Sequence, residues 1–323
     1  MINDELLYDV AYAYYIKGKL QKEIAEEYGV SRVQIGKYLK RAQERGIVKI
    51  SVDKPNVDIK NLNTYQKFFS ENFGLKKLVL SPGANTKERL LSNLCRTASK
   101  YIANNFDSRE MKVGIGWGET LFNLVNYFEG INRSNWLITP LSGGTSKLSD
   151  KFFNVNYIIQ VLSGALKAKP IPMYFSFILK GRKIAEEIKK TNEYLELQRL
   201  WDNLDIIISS VGYSLYRSPL FRQNVLDGSY SDKLEELKVV GDILTHYYDI
   251  NGKMFNFDFK ERWVNLSLEQ YLKTPNKIVV AGGHHKVDSI IGLIKGNFCD
   301  CLITDEKTIK FVYEYFKEAK EEI

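Results

Sequence analysis

From Lys76 onward, short apolar runs alternate with longer stretches in which apolar residues recur every three or four positions. Runs of the first kind predict strands, and stretches of the second kind predict amphipathic helices. The strand candidates are 77–81, 112–116, 136–141, 205–211, 277–281 and 300–304. The helical candidates are 85–105, 119–128, 152–166, 181–203, 217–226, 284–296 and 305–319. Because the strand candidates are apolar runs separated by helices, they predict an α/β domain with a mostly parallel sheet covered on both faces.

The N-terminal region follows a different pattern. Residues 6–18 have helical spacing, and residues 21–40 match a helix-turn-helix at each position that its geometry restricts. The buried side of the first helix of this motif is predicted to consist of Ile24, Ala25 and Tyr28. Gly29 suits a turn that requires a positive φ, and Ser31 suits the N-cap of the second helix.

The outer side of that second helix is basic and polar. It carries Arg32, Gln34, Lys37, Lys40 and Arg41. Basic helical faces are usually only solvated, but the match to the whole motif favours DNA binding. We expect Arg32, Gln34 and Lys37 to face the major groove. Ser31, Lys40 and Arg41 are expected to face phosphates.

A boundary between two domains is predicted near residue 55. Residues 47–52 are rich in β-branched side chains and predict a strand or wing, and residues 53–56 break the pattern. We therefore divide the chain into a helix-turn-helix domain, 1–55, and a second domain, 56–323. Residues 57–75 predict a connecting helix, whose Tyr65, Phe68 and Phe69 are a candidate interface between subunits.

Composition narrows the class of protein. The chain has 323 residues, 44% of them hydrophobic, with a formal net charge of +7 that suits a polyanionic partner. No signal peptide or membrane span is recognisable. Cys95, Cys299 and Cys301 are interpreted as reduced thiols, so a cytoplasmic protein is expected.

Small or polar loops follow four of the strand candidates. They are 114–120, 142–146, 212–214 and 281–286. Ligands of open parallel sheets bind outside the carboxyl ends of the strands, and helix N-termini there favour anions. The loops lack the fingerprints of dinucleotide and nucleoside-triphosphate sites, so we expect a small anionic ligand and no cofactor. Lys286 is a candidate countercharge, although a solvated lysine would explain it equally well. The adjacent His284 and His285 do not easily bring both rings to one ion, so no metal site is expected there.

The motifs together resemble the SorC family of bacterial sugar-binding transcriptional regulators. QKEIAEEYGVSRVQIGKYLKRAQERGIVKISV is similar to the DNA-binding motif of that family. VGIGWGETL, ITPLSGG, SSVGYS, GDI with YYDINGK, and VVAGGHHKVDSI with LITDEKT follow in the family's order. The resemblance covers nearly the whole chain.

This resemblance implies a simple or winged helix-turn-helix joined to a Rossmann-like parallel-sheet effector domain. The latter is similar to sugar-phosphate isomerases and deaminases but without catalysis. It also implies operator DNA and a phosphorylated sugar as partners, and a homotetramer, a dimer of dimers. The phosphate loop corresponds to Gly116, Gly118, Glu119 and Thr120, with Lys286 as its lysine. Asp249 is expected to bind sugar hydroxyls, and Gly143, Gly144 and Gly212 to line the pocket.

Two residues depart from the family pattern. Glu119 places a carboxylate beside the expected phosphate, which is unfavourable unless it points away. Gly36 lies in the second helix of the motif, where serine is more typical. The alternative function is a sugar-phosphate isomerase or deaminase, which would have no use for residues 20–41.

Overall fold

The computed structural model describes residues 4–48, 59–107, 109–144, 151–213 and 228–321. The predicted helix at 217–226, and most of the predicted wing at 47–52, lie outside these ranges. The chain divides into two units, Met1–Pro55 and Asn56–Ile323. None of the described helices is both long and apolar enough to cross a membrane.

The N-terminal unit is helical. Its α-helices are α1 (Asp4–Ala11), α2 (Gln21–Glu27) and α3 (Arg32–Glu44), and a π-helical turn, Tyr12–Ile16, continues α1. They enclose a small core that includes Leu7, Val10, Ile24, Ile35 and Leu39. Gly29 has a φ of +62° between α2 and α3, and the Ser31 hydroxyl accepts the Gln34 N–H at 3.2 Å as the N-cap of α3. The predicted helix-turn-helix is therefore present.

One residue of the predicted buried stripe differs. Tyr28 lies just beyond the end of α2 and remains 38% exposed. Its N–H still donates to the Ile24 carbonyl at 3.0 Å, so Tyr28 closes the last turn of α2, but its side chain is only partly covered.

The larger unit combines parallel strands, a small antiparallel sheet and helices. The strands are β1 (Lys77–Ser81), β2 (Met111–Ile115), β3 (Trp136–Pro140), β4 (Lys169–Pro170), β5 (Ile206–Ser209), β6 (Val211–Tyr213), β7 (Val239–Ile243), β8 (His246–Asp249), β9 (Asn276–Val280) and β10 (Cys301–Asp305). The helices are α4 (Ile59–Phe73), α5 (Lys87–Asn105), α6 (Glu119–Leu124), α7 (Val155–Leu166), α8 (Arg182–Ile188), α9 (Asn192–Trp201), α10 (Gly228–Glu236), α11 (Leu268–Lys273), α12 (Val287–Lys295) and α13 (Glu306–Glu321).

The main sheet has seven described strands in the order β1-β10-β9-β5-β2-β3-β4, all parallel. Alternate residues of one strand enter different cores, because side chains of a strand point to opposite faces in turn. Ile206 and Ile208 belong to the core that contains α5, α6 and α7. Ile207 belongs to the core on the other side, with α9, α12 and α13. The predicted α/β fold, with helices on both faces, is confirmed.

The second sheet is antiparallel, in the order β6-β7-β8, and was not predicted. Leu244 and Thr245 connect β7 to β8 with φ values of 49° and 67°. A two-residue hairpin with both central residues at positive φ normally carries Asn-Gly or a similar pair. Because a leucine and a threonine stand there instead, the sequence lacks the usual hairpin signal.

Two helical predictions need correction. The stretch 181–203 forms α8 and α9, because the Thr191 hydroxyl accepts the Tyr194 N–H and starts a new helix.

The predicted interface aromatics of α4 are packed within their own unit. Phe69 is fully buried, and Phe68 stacks edge-on against Tyr313 at 4.8 Å between ring centroids. Phe69 is therefore a core residue and is not available to a second subunit.

Helix α12 packs tightly against β8 at Gly292. A Cβ at this position would lie 2.5 Å from the Asp249 carbonyl oxygen and 2.8 Å from the Tyr248 ring. We predict that Gly292→Ala lowers the free energy of unfolding by about 1–3 kcal/mol through overpacking. Gly164→Ala is the matched control, because a Cβ at this exposed site in α7 would meet nothing within 4 Å. It should raise stability by up to about 1 kcal/mol. Urea denaturation of both variants tests this, and equal effects would contradict it.

Candidate functional site

The carboxyl ends of four parallel strands form one edge of the main sheet. Ile115 of β2 pairs with Ile208 of β5, Ser209 of β5 pairs with Val279 of β9, and Val280 of β9 pairs with Ile303 of β10. The loops that follow these strands are therefore neighbours. They carry residues 116–118 and 281–286, and Ser210 joins β5 directly to β6.

Lys286 lies at this edge, immediately before α12, and is only 8% exposed. Its Nζ donates a hydrogen bond to the Ser210 hydroxyl at 3.1 Å. Burial lowers the pKa of the Lys286 amine to about 8, against the opposing pull of the Glu119 and Asp242 carboxylates. The structure thus brings Lys286 close to Glu119 and adds Asp242 and Ser210, which were not among the predicted site residues.

Glu119 is paired with a lysine that was also missed. Both of its carboxylate oxygens accept from the Lys87 Nζ, at 2.8 and 2.7 Å. Lys87 begins α5, which the Thr86 hydroxyl caps, and Glu119 begins α6. The Glu119 carboxylate, which would be unfavourable beside a phosphate, is therefore neutralised by the Lys87 amine. The sequence pattern does not predict the pairing of Lys87 with Glu119, because 32 positions separate the two residues.

Asp242 is a half-buried residue on β7 whose carboxylate is largely removed from water. Burial raises its pKa, while the Thr245 N–H and the Lys260 and Lys286 amines oppose that rise. The Thr245 N–H donates to Oδ2 at 2.9 Å, so the carboxylate holds the strained turn between β7 and β8. A Cβ on Gly212 would lie only 1.9 Å from Oδ1. Gly212 is therefore required to make room for Asp242, a role different from the predicted lining of the pocket.

Lys260 completes a group of charges around Asp242. Burial lowers the pKa of its amine to about 8, and Asp242 opposes this shift. Its Nζ lies 5.4 Å from the centroid of the Tyr247 ring and 5.8 Å from that of Phe257. Lys87, Lys260 and Lys286 thus provide three amines, against the two carboxylates of Glu119 and Asp242. Electrostatically, this arrangement favours an anionic ligand.

The loop that carries Lys286 is held by hydrogen bonds to Asp305 and Thr308. The Gly283 N–H donates to Asp305 Oδ2 at 3.0 Å and to the Thr308 hydroxyl at 2.7 Å. Asp305 Oδ1 accepts from the N–H groups of Lys307 and Thr308 at 3.1 and 3.0 Å. One buried carboxylate therefore joins the end of β10, the first turn of α13 and the loop after β9.

The other predicted loop residues have mainly structural contacts. The Gly116 N–H donates to the Ile208 carbonyl at 3.0 Å, and Gly118 precedes α6 with a φ of 115°. Thr120 is the second residue of α6. The N–H groups of Gly143 and Gly144 donate to the carbonyls of Val264 and Phe175. A Cβ on Gly143 would lie 2.7 Å from the backbone of residues 175–177, so close backbone packing explains this glycine.

Asp249 is not brought together with Lys286. Its Oδ1 accepts from the N–H groups of Asn251 and Lys253, both at 2.9 Å, which closes the turn after β8. Its carbonyl lies against Gly292. Gly292 follows Lys286 by six positions, about 9 Å along a helix axis. The role of Asp249 toward sugar hydroxyls stays a prediction. Of Asp242 and Asp249, Asp242 is the carboxylate nearer to Lys286.

The histidines and cysteines show no sign of metal chemistry. Nε2 of His246 lies 2.9 Å from the Leu266 carbonyl, and burial lowers the pKa of this imidazole to about 4, so it is neutral at pH 7. Cys95, Cys299 and Cys301 are buried and unbridged, and burial raises the pKa of Cys95 to about 12. Within the described ranges, no group of three or more His, Cys, Asp or Glu side chains could hold a metal ion.

The candidate DNA-binding residues lie on α3. Arg32, Lys37, Lys40 and Arg41 are exposed, and Gln34 is half-buried. The Ser31 hydroxyl is engaged as the N-cap, and Lys40 forms only a loose pair with Glu44 at 3.9 Å. The basic side chains therefore remain on the solvent side of the helix.

The comparisons with known proteins now identify the class. Residues 57–314 match the family model described as "Putative sugar-binding domain". The chain is 26% identical to the sorbitol operon regulator of Klebsiella pneumoniae over 309 residues, which covers 95% of this chain and 97% of that relative. It is 24% identical to the deoxyribonucleoside regulator of Bacillus subtilis, over 95% of this chain and 96% of the relative.

Solved structures agree with this result. The full-length sorbitol operon regulator SorC from Klebsiella pneumoniae superposes with a TM-score of 0.71 and 25% identity, covering 97% of this chain and 99% of that one. A transcriptional regulator from Streptococcus pneumoniae gives 0.73 and 26% identity, over 80% of this chain and 98% of that one. The chain belongs to this sugar-binding family, the SorC family of transcriptional regulators. Because these relatives are regulators, the enzyme alternative is not favoured.

We predict that Asp305→Asn displaces the loop that carries Lys286. The amide would present N–H donors where the carboxylate now accepts from other donors, at a cost of about 1–3 kcal/mol in unfolding free energy. Asp288→Asn, at an exposed position in the first turn of α12, is the control and should cost less than about 1 kcal/mol. Denaturation curves measure stability, and hydrogen exchange of residues 281–287 reports on the loop. Unchanged exchange in Asp305→Asn would show that the loop holds itself.

Proposed function

We propose that this chain is a cytoplasmic transcriptional regulator of carbohydrate metabolism whose binding to operator DNA is controlled by a phosphorylated sugar or a related small anionic metabolite. Residues 1–55 bind DNA, and residues 56–323 bind the effector and form a homotetramer. The relatives named for the sorbitol operon and for deoxyribonucleosides support this reading.

The buried amine of Lys286 is the observation that carries the effector proposal. It lies at the carboxyl edge of the parallel sheet, where ligands of such folds bind. Lys87 and Thr120 lie on the neighbouring helices α5 and α6. In our proposal the phosphate contacts Lys286, the Thr120 hydroxyl and the first amides of α6, with Gly116 and Gly118 keeping the loop close. Asp249 accepts from the sugar hydroxyls, and Asp242, whose charge acts on Lys286, is a second candidate for this role.

DNA binding is proposed to occur through α3. Arg32, Gln34 and Lys37 face the bases, while Ser31, Lys40 and Arg41 face phosphates. One helix reads only a few base pairs, so a useful operator requires at least two copies of the motif arranged symmetrically. The effector acts by changing the relative free energies of the DNA-binding arrangements, which is a coupling between sites and not a reaction.

The DNA prediction separates phosphate contacts from base contacts. Lys40→Ala and Arg41→Ala should weaken binding to all sequences and lower the slope of log K against log salt by about 0.9 for each lost phosphate contact. Gln34→Ala should instead change the preferred sequence. Arg109→Ala removes an equally exposed charge from the larger unit and serves as control. Fluorescence anisotropy at several salt concentrations measures all four. Normal operator binding by an Arg32, Gln34 and Lys37 triple alanine variant would refute the placement.

The effector prediction uses the acidity of Lys286. Below pH 8 its amine is charged and attracts an anion, and above pH 8 the charge is lost, so affinity should fall as pH rises through 8. Lys286→Met should weaken binding by about ten- to a hundredfold, as expected for loss of a charge-assisted contact, and should reduce the pH dependence. Some pH dependence of the affinity should remain in Lys286→Met, because the pKa of the Lys260 amine is also about 8.

The experiment begins with a thermal-shift screen of phosphorylated sugars and their unphosphorylated counterparts, followed by titration calorimetry between pH 7 and 9. Lys295→Met, at the other end of α12, is the matched control and should bind normally. Equal affinities of the wild-type chain and Lys286→Met would place the anion elsewhere.

A further inference from the structure

Val33 is an apolar side chain on the exposed face of α3. It is 70% exposed, whereas Ile35, two positions later, is fully buried. Two helical positions correspond to about 200° of rotation, so Val33 lies nearly opposite the core. Its neighbour at i+4 on that outer face is the exposed Lys37. A β-branched residue is a modest helix former, so neither the core nor helix formation accounts for a valine here.

Gly36 adds a second and independent observation. It lies within α3, three positions after Val33, and a Cβ built on it would meet nothing within 4 Å. Its φ lies outside the positive range in which glycine is needed. Glycine destabilises a helix relative to alanine. The unit therefore carries a glycine that its own fold does not require, beside an apolar side chain that its core does not bury.

We propose that Val33 and Gly36 form a shallow apolar patch that contacts a thymine methyl group in the major groove of the operator. This inference rests on the proposed DNA binding and adds which base is read without a hydrogen bond. The thymine methyl is the apolar group that the major groove displays, and small apolar side chains contact it. Val33 supplies the contact, and Gly36 lets the helix approach the methyl closely. The exposed cations Arg32, Lys37 and Lys40 around the patch match duplex DNA as its occupant.

The test removes the methyl from the DNA and its partner from the protein. Duplexes that bind the full chain are selected from a randomised library, and each thymine is then replaced singly by uracil. At one position in each half-site, uracil should lower the affinity of the wild-type chain about fourfold, the value expected for one buried methyl-sized group. Val33→Ala removes both γ-methyl groups from the contact and should reduce the uracil effect to less than about twofold. Ile16→Ala, an exposed apolar residue outside α3, should keep the wild-type discrimination.

Gly36→Ala provides a readout of opposite sign. It should slow hydrogen exchange of the α3 amides, because alanine stabilises the helix, and yet weaken binding to the thymine duplex. Equal binding of thymine and uracil duplexes at every position would overturn the patch while leaving DNA binding intact. An undiminished uracil effect in Val33→Ala would overturn it as well. Failure of the wild-type chain to select any duplex would overturn the proposed function, and this inference with it.

Discussion

The carboxylate of Asp305 is the constraint on which the candidate site depends. It is buried at the end of β10 and accepts hydrogen bonds from Gly283, Lys307 and Thr308. The N–H groups of Lys307 and Thr308, in the first turn of α13, and the N–H group of Gly283, in the loop, converge at this place. Water is excluded there, so a carboxylate is needed to accept from all of them. Since the loop continues directly into the turn that carries Lys286, the position of that amine follows from the Asp305 interaction.

Around that amine, burial and charge act against each other. Desolvation lowers the pKa of the Lys286 and Lys260 amines, while the Asp242 carboxylate opposes both shifts and favours the charged forms. Asp242 in turn fits only because Gly212 has no side chain. The turn at Leu244 and Thr245 adopts positive φ values that these residues rarely have, and the Asp242 carboxylate supports it through the Thr245 N–H. Backbone strain and buried charge are therefore concentrated at the same place.

The sequence predicts the frame of this protein better than its site. The apolar runs place the six longer parallel strands to within a residue or two, because a strand buried on both faces is mostly apolar. Ser31 and Gly29 mark the helix-turn-helix because caps and positive-φ turns have strong residue preferences. These signals are local, and each depends on a few adjacent positions.

The missed features are those that join distant parts of the chain. Lys87 meets Glu119 only because α5 and α6 pack together, and Ser210 meets Lys286 only because their strands are neighbours. The sequence does not predict the three-stranded sheet, because Leu244 and Thr245 occupy the hairpin turn in place of the usual turn residues. Asp242 carries no motif of its own, and its charge acts on Lys286 only because the fold brings β7 and the start of α12 together.

The pairing of Glu119 with Lys87 has a consequence for the protein without its effector. A regulator spends much of its existence without ligand, and that state must itself be folded and able to act. Without a nearby negative charge, the Lys87 and Lys286 amines would repel one another, and the buried Lys286 amine would also be poorly hydrated. Glu119 supplies an internal substitute charge beside Lys87 and close to Lys286. Under the proposed function, an arriving anion would compete with a resident carboxylate, so the concentration at which the protein responds would depend on the strength of that competition as well as on the contacts the effector gains.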